Sequence, residues 1–197
     1  MLRAFVAVEL DASLRQALAQ VQATLRYQLQ LTVGPDVRIQ WVKPESIHLT
    51  LKFLGDIPEE QASDIQAALV RVVGGHSRFT VDVEGLGVFP DVRAPRVVWV
   101  GLTDHVDTLT RLAADVETGL AALGFPPEAR PFNPHLTLAR IKERSRDVGQ
   151  ALSTGGVLTQ DARLGALPVA ALSLMKSDLQ PSGSVYTQLC HLPLKEA

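Results

Sequence analysis

The four residues His48-Leu49-Thr50-Leu51 return as His135-Leu136-Thr137-Leu138, and no other feature constrains the fold as much. With 29 Leu and 12 Thr in 197 residues, chance puts Leu-Thr-Leu after a given His with a probability on the order of 0.001. Two of the five histidines carry it. Side chains alternate along an extended chain, so His and Thr at i and i+2 share one face and the two leucines share the other. Each copy predicts a strand with an oily back and a chemical front.

The surrounding patterns give each copy the same company. In the first half, residues 5–8 form an apolar strand, and Asp11 caps a helix whose stripe is Leu14, Leu18, Val21 and Leu25. Extended runs follow at 37–42 and 47–54. Asp56, Pro58, Glu59 and Glu60 then start a helix with Ile65, Leu69 and Val72 inward, and Gly74-Gly75 ends it. Strands are expected at 79–83 and 86–89, and the Pro/Arg-rich loop 90–95 is the best junction. The plan restarts with a strand at 97–100, a helix over 104–123 and an extended run at 134–141. A short helix at 147–153 and strands at 169–175 and 185–194 complete it.

The apolar helix stripes need a partner, and the leucine faces supply one. The expected fold class is therefore α+β: two pseudo-symmetric lobes, each an antiparallel sheet with helices on its outer face, flanking a central cleft. Residues 1–197 form one bilobal domain of two diverged halves, about 1–90 and 96–197. Facing sheets bring His48, Thr50, His135 and Thr137 to one cleft. Imidazole titrates near neutrality, so one ring can take a proton from water while the other gives one to a leaving oxygen. Threonine hydroxyls can donate to non-bridging phosphate oxygens. That set suits phosphoryl chemistry without a metal or cofactor.

Three other readings compete. One keeps the same acid/base chemistry but turns it on a different substrate, another cyclic phosphate or a 2'-5' oligonucleotide. A zinc site built from His48 and His135 lacks a third ligand at any telling spacing. A binding module would hold a nucleotide or RNA end without converting it, although pure binding does not need two titrating groups. Gly74-Gly75 lacks the Lys-Ser/Thr of a phosphate loop.

A formal net charge of −2 provides no protein-wide field for long nucleic acid. The first ten residues hold an apolar stretch too short for a signal-peptide core, and no run approaches the ~18 apolar residues of a membrane span. One cysteine, Cys190, allows no internal disulfide. A cytoplasmic monomer is the expectation.

The chain resembles the bacterial and archaeal RNA 2',3'-cyclic phosphodiesterases, also called 2'-5' RNA ligases, of the two-histidine phosphoesterase superfamily. The resemblance rests on Phe5-Val6-Ala7-Val8-Glu9-Leu10, on Trp41-Val42-Lys43-Pro44-Glu45 leading into His48 to Gly55, and on Gly85-Leu86-Gly87-Val88-Phe89-Pro90. It continues through Arg130-Pro131-Phe132-Asn133-Pro134-His135 to Arg140, and Tyr186, Leu189 and Leu192-Pro193-Leu194 fit the closing strand. It implies that both chain ends share one lobe and that the substrate is an RNA end, or a tRNA half, bearing a 2',3'-cyclic phosphate. The product is a 2'-phosphomonoester, and some members run the reverse joining through a 2'-5' linkage. Carried over, His48 is the proton donor to the departing 3' oxygen and His135 the acceptor that activates water.

Four further residues are candidates for substrate binding. Lys52 shares the parity of His48 and Thr50, which aims it at the cleft mouth and an RNA phosphate, or else at solvent. Arg140 has the opposite parity and reaches the cleft only if its strand ends or bulges. Arg130 arrives from a loop as a phosphate ligand. Phe132, with Trp41 and Phe89, offers either a stacking face for a base or core packing. Arg140, Lys142, Arg144 and Arg146 form a basic cluster able to steer an RNA end. His76, His105 and His191 lack the Thr partner and are bystanders.

Overall fold

Asp11 accepts a hydrogen bond from Leu14 N at 2.8 Å and so starts helix α1 (Ala12–Thr32) where a capping residue is expected. Helices α2 (Ala62–Val73), α3 (Val106–Ala121) and α4 (Ser145–Thr154) follow. The strands are β1 (Leu2–Glu9), β2 (Ile39–Trp41), β3 (His48–Ile57), β4 (Phe79–Phe89), β5 (Val97–Thr103), β6 (His135–Ile141), β7 (Arg163–Val169), β8 (Ala171–Gln180) and β9 (Gly183–Pro193). This computed structural model describes residues 1–156, 158, 163–180 and 183–196.

Among the described residues the strands pair antiparallel, in the order β7-β4-β5-β6-β3-β1-β8-β9, with β2 added to β6, and one isolated parallel bridge joins Ser77 to Lys195. The two His-Thr strands, β3 and β6, lie at the middle and pair through one position, Leu49 with Leu136. On either side the order is mirrored, β5 answering β1 and β4 answering β8. The lobes are therefore the two wings of one sheet, and the motifs sit on adjacent central strands rather than on separate facing sheets.

The sequence halves interleave in space. Strand β4 belongs to the first half but pairs with β5 and β7, while β8 and β9 come from the second half and join β1. Both chain ends consequently build one lobe. The run expected as a single strand at 169–175 is split at Ala170, where the chain leaves one lobe and enters the other. The residues around the crossing, Val169-Ala170-Ala171-Leu172, are all apolar and give no sign of it. Strand β7 is masked in the sequence by Gly165 and Pro168, which an edge strand tolerates.

The helices cover one face of this sheet, α1 beside α4 and α2 beside α3. Leu49, Leu51, Leu136 and Leu138 are buried in one core with the helical stripes of Leu14, Leu18, Leu25, Ile65, Leu69, Leu109, Leu112 and Leu120. The leucine backs of the motifs are thus what the helices pack on, and the His-Thr fronts are left to the other side.

Both motif strands then break their alternation at the same place. Ala7 pairs with Thr50 but Val6 pairs with Lys52, so Leu51 is an extra residue. Trp99 pairs with Thr137 but Val98 pairs with Ala139, so Leu138 is its counterpart. A bulge of this kind reverses the facing of everything after it. Lys52 and Ala139 turn to the helix side, and Phe53 and Arg140 return to the cleft side. The Leu138 carbonyl accepts from Val42 N at 2.9 Å and from Gln22 Nε2 at 2.9 Å, and the same Gln22 nitrogen lies 2.7 Å from the Val42 carbonyl. Gln22 is the buried polar residue in the α1 stripe that hydrophobic periodicity passes over.

Replacing Gln22 by Leu keeps the volume but withdraws the side-chain donor from two carbonyls at the bulge. Urea unfolding should show a loss of about 1–3 kcal/mol; an unchanged stability would mean that the bulge does not depend on Gln22.

Candidate active site

Each motif histidine is fixed by the residue two places before it. His48 Nδ1 lies 2.8 Å from the Ser46 carbonyl, and His135 Nδ1 lies 2.7 Å from the Asn133 carbonyl. A carbonyl oxygen only accepts, so Nδ1 carries the hydrogen in both rings and Nε2 is left for the cleft. The local chain makes this possible: a short 3-10 turn, Pro44–Ser46, delivers Ser46 beside His48, and Pro134 holds Asn133 extended before His135.

A cleft of about 1340 Å³ runs between the wings. It is lined by His48, Thr50, His135 and Thr137, and also by Arg130, Phe132, Arg140 and Lys52. Counted from the Leu49–Leu136 pair, His48 falls beside Thr137 and Thr50 beside His135. The four polar residues are therefore interleaved crosswise about the joint of the sheet.

The two rings have different surroundings. His48 stacks on Phe5 at 4.6 Å between centroids, with Tyr186 edge-on at 5.0 Å. Its strand neighbour Glu9 accepts from Ser173 Oγ at 2.8 Å and from Gln188 Nε2. Burial pushes the His48 pKa down; the Ser46 carbonyl and the Glu9 carboxylate pull it partly back, and Arg140 adds to the push. His135 meets Phe89 edge-on at 5.0 Å and Trp99 at 6.3 Å. The Trp99 ring lies over Gly87, where a Cβ would fall 2.2 Å from the indole, so only glycine allows that wall.

The supporting candidates divide. Arg140 does reach the cleft, through the bulge that its parity required. Arg130 and Phe132 line it from the loop before β6, Arg130 exposed and Phe132 partly packed on the core. Lys52 is neither at the mouth nor solvated: its side chain is 2% exposed, ion-paired with Glu117 of α3 and donating to the Pro126 carbonyl at 2.9 Å. Leu51 removed it from the parity of His48, and it ties β3 to the neighbouring helix. Trp41 lies outside the cleft with Arg26 above its ring at 5.2 Å, whereas Phe89 lines the cleft.

In the basic cluster, Arg144 pairs with Asp147 and donates to the Val33 carbonyl, leaving Arg140 as the member that lines the cleft. His76 pairs with Asp115 away from the motifs. Sequence reasoning missed Phe5, Tyr186 and Glu9, which alternate onto the His48 face of neighbouring strands, and Phe53, whose facing depends on the bulge. Among the described residues no three His, Cys, Asp or Glu side chains gather into a ligand set. No helix of the described residues is long and apolar enough to cross a membrane.

The family model described as LigT-like phosphoesterase matches the chain twice, over residues 8–99 and 100–186. The chain belongs to this family. The paired match repeats in each half, as the two motifs do. An RNA 2',3'-cyclic phosphodiesterase of Methanothermobacter thermautotrophicus is 36% identical over 95% of this chain and 96% of its own length. Its counterpart in Archaeoglobus fulgidus is 34% identical over 95% and 98%. Among solved structures, TT0787 of Thermus thermophilus superposes with a TM-score of 0.75 at 30% identity, covering 98% of both chains. E. coli LigT complexed with 3'-AMP gives 0.75 at 25% identity over 99% of both.

Because the His48 pKa is held below the ordinary value of about 6.5, its contribution to stability is complete above that value. It is lost as pH falls from there through the depressed folded value. An NMR titration should place the His48 ring protons below 6.5, and Tyr186→Ala, which opens one wall to water, should move them upward. A His48 titration already at the ordinary value, unmoved by Tyr186→Ala, would contradict the burial argument.

Proposed function

We propose that this LigT-like phosphoesterase hydrolyses RNA-terminal 2',3'-cyclic phosphate to a 2'-phosphomonoester by acid/base catalysis between His48 and His135, without a metal. The observation that carries this reading is the matched anchoring of the two rings, each with its Nδ1 hydrogen held by a carbonyl and its Nε2 free for a proton. The activity named for the relatives supports the substrate, and the nucleotide complex of E. coli LigT supports a nucleotide-bearing ligand in this fold.

The steps follow from the groups. His135 Nε2 takes a proton from water, whose oxygen bonds to phosphorus. The bond from phosphorus to O3' breaks as His48 Nε2 gives its proton to O3', leaving phosphate on O2'. Thr50 and Thr137 donate to the non-bridging oxygens, where charge is held through the transition state. Arg130 and Arg140 add positive charge along the RNA backbone, and Phe132 offers an apolar face beside it. A 5'-hydroxyl in place of water gives a 2'-5' linkage by the same bond changes. Lys52 is assigned no part in binding, since Glu117 already holds it.

Incubation with cytidine 2',3'-cyclic phosphate in EDTA should yield the 2'-phosphate. Replacing either His48 or His135 by Ala should lower kcat by about 10²- to 10⁴-fold. A 3'-phosphate product, or turnover that disappears in EDTA and returns with a metal, would overturn the mechanism. Binding without any turnover would favour the idle binding module.

A further inference from the structure

A second cavity, of about 400 Å³, adjoins the cleft and shares His48, Ser46, Ser184 and Tyr186 with its lining. Its volume lies within the ~300–1,000 Å³ of small-ligand pockets. Two cations line this cavity and not the cleft: Arg15, from the first turn of α1, and Lys43, from just before the 3-10 turn that delivers Ser46.

The fold gains little from Arg15 where it stands. A cation at the start of a helix opposes the positive end of the backbone dipole. Among the described residues neither Arg15 nor Lys43 forms an ion pair. Arg15 Nε is shut off from water and has no hydrogen-bond partner there, and a buried donor without an acceptor is costly. An anionic ligand would answer both cations. Glu9 and Glu45 also line the cavity, and Glu9 already accepts from Ser173 Oγ and Gln188 Nε2. Two cations beside two carboxylates suit a single negative charge placed at Arg15; a polyphosphate would meet the carboxylates.

An RNA end supplies such a charge on the correct side. In the reaction above, O3' of the terminal ribose departs toward His48, so that ribose lies beside the second cavity. From its 5' oxygen the strand continues through one singly charged phosphodiester to the preceding nucleoside. We propose that the second cavity is a subsite for the nucleotide that precedes the one bearing the cyclic phosphate, with Arg15, aided by Lys43, binding the phosphodiester between them. This rests on the phosphodiesterase reading above and makes RNA ends of two or more nucleotides the preferred substrate class. Arg15 and Lys43 touch no reacting atom and act by positioning the strand.

The test compares a nucleoside 2',3'-cyclic phosphate, a dinucleotide ending in the same group, and that dinucleotide with a neutral methylphosphonate linkage. Wild type should show a KM about 10-fold lower for the dinucleotide than for the mononucleotide, with kcat within about two-fold, and the methylphosphonate should lose the advantage. Arg15→Ala should raise the dinucleotide KM to the mononucleotide value and leave mononucleotide kinetics unchanged, while Arg15→Lys should recover part of the preference. Equal KM for all three substrates in wild type overturns the subsite without any variant. So does a preference that survives Arg15→Ala, or a loss that is equal on mononucleotide and dinucleotide. If wild type turns over none of them, the phosphodiesterase reading fails, and calorimetric binding of the dinucleotide and mononucleotide 2'-phosphates judges the subsite separately. An Arg15-dependent preference for the dinucleotide then supports it, and equal affinity overturns it.

Discussion

The meeting of Leu49 with Leu136 is the contact on which the rest of the molecule depends. It is the single position at which β3 pairs with β6, and it makes two wings into one sheet. Both leucines are fully buried against the helical layer. Burying each removes about 1.5–3 kcal/mol of apolar exposure from water. Their burial also fixes which side of the sheet the neighbouring residues occupy. His48, Thr50, His135 and Thr137 face the cleft because Leu49 and Leu136 do not. A slip of one residue in either strand would send the imidazoles into the core and the leucines into water.

The bulges after the motifs extend this logic. Strict alternation would have carried Lys52 and Ala139 onto the cleft face. The extra residues Leu51 and Leu138 exchange them for Phe53 and Arg140, and the backbone groups freed at Leu138 are met by Gln22 and Val42. Lys52, turned inward, finds Glu117 and the Pro126 carbonyl, so its charge is buried with a partner. Removing that partner alone would strand a buried cation, which is costly in a low-dielectric interior.

Much of this was legible in the residues. The Asp11 cap, the leucine stripes of the helices and the two oily-backed strands all follow from short-range chemistry, and they led to the α+β fold and to the four cleft residues. What was not legible is long-range. No local pattern reveals that β4 crosses to the wing of β5, or that the apolar residues 169–172 hide a change of lobe at Ala170. The fates of Lys52 and Phe53 turn on one bulged residue, which has no signature beyond a leucine that is equally at home in a regular strand. Arg140 was legible only as a condition, and the bulge met it. The apolar enclosure of His48 by Phe5 and Tyr186 brings together residues nearly the length of the chain apart.

The central claim is that the Ser46 and Asn133 carbonyls hold the hydrogen of both motif rings on Nδ1, so that in the neutral form of each ring Nε2 is the free nitrogen, the atom through which a catalytic proton is taken up or given. Nitrogen-15 NMR of the ring nitrogens in protein labelled at histidine, recorded above the titration range, reads this directly. The account predicts that His48 and His135 both show a protonated Nδ1 and a lone-pair Nε2, each identified by its loss in the corresponding His→Ala variant. A protonated Nε2 on either ring would contradict it, because the carbonyls of Ser46 and Asn133 would then not be setting the tautomer.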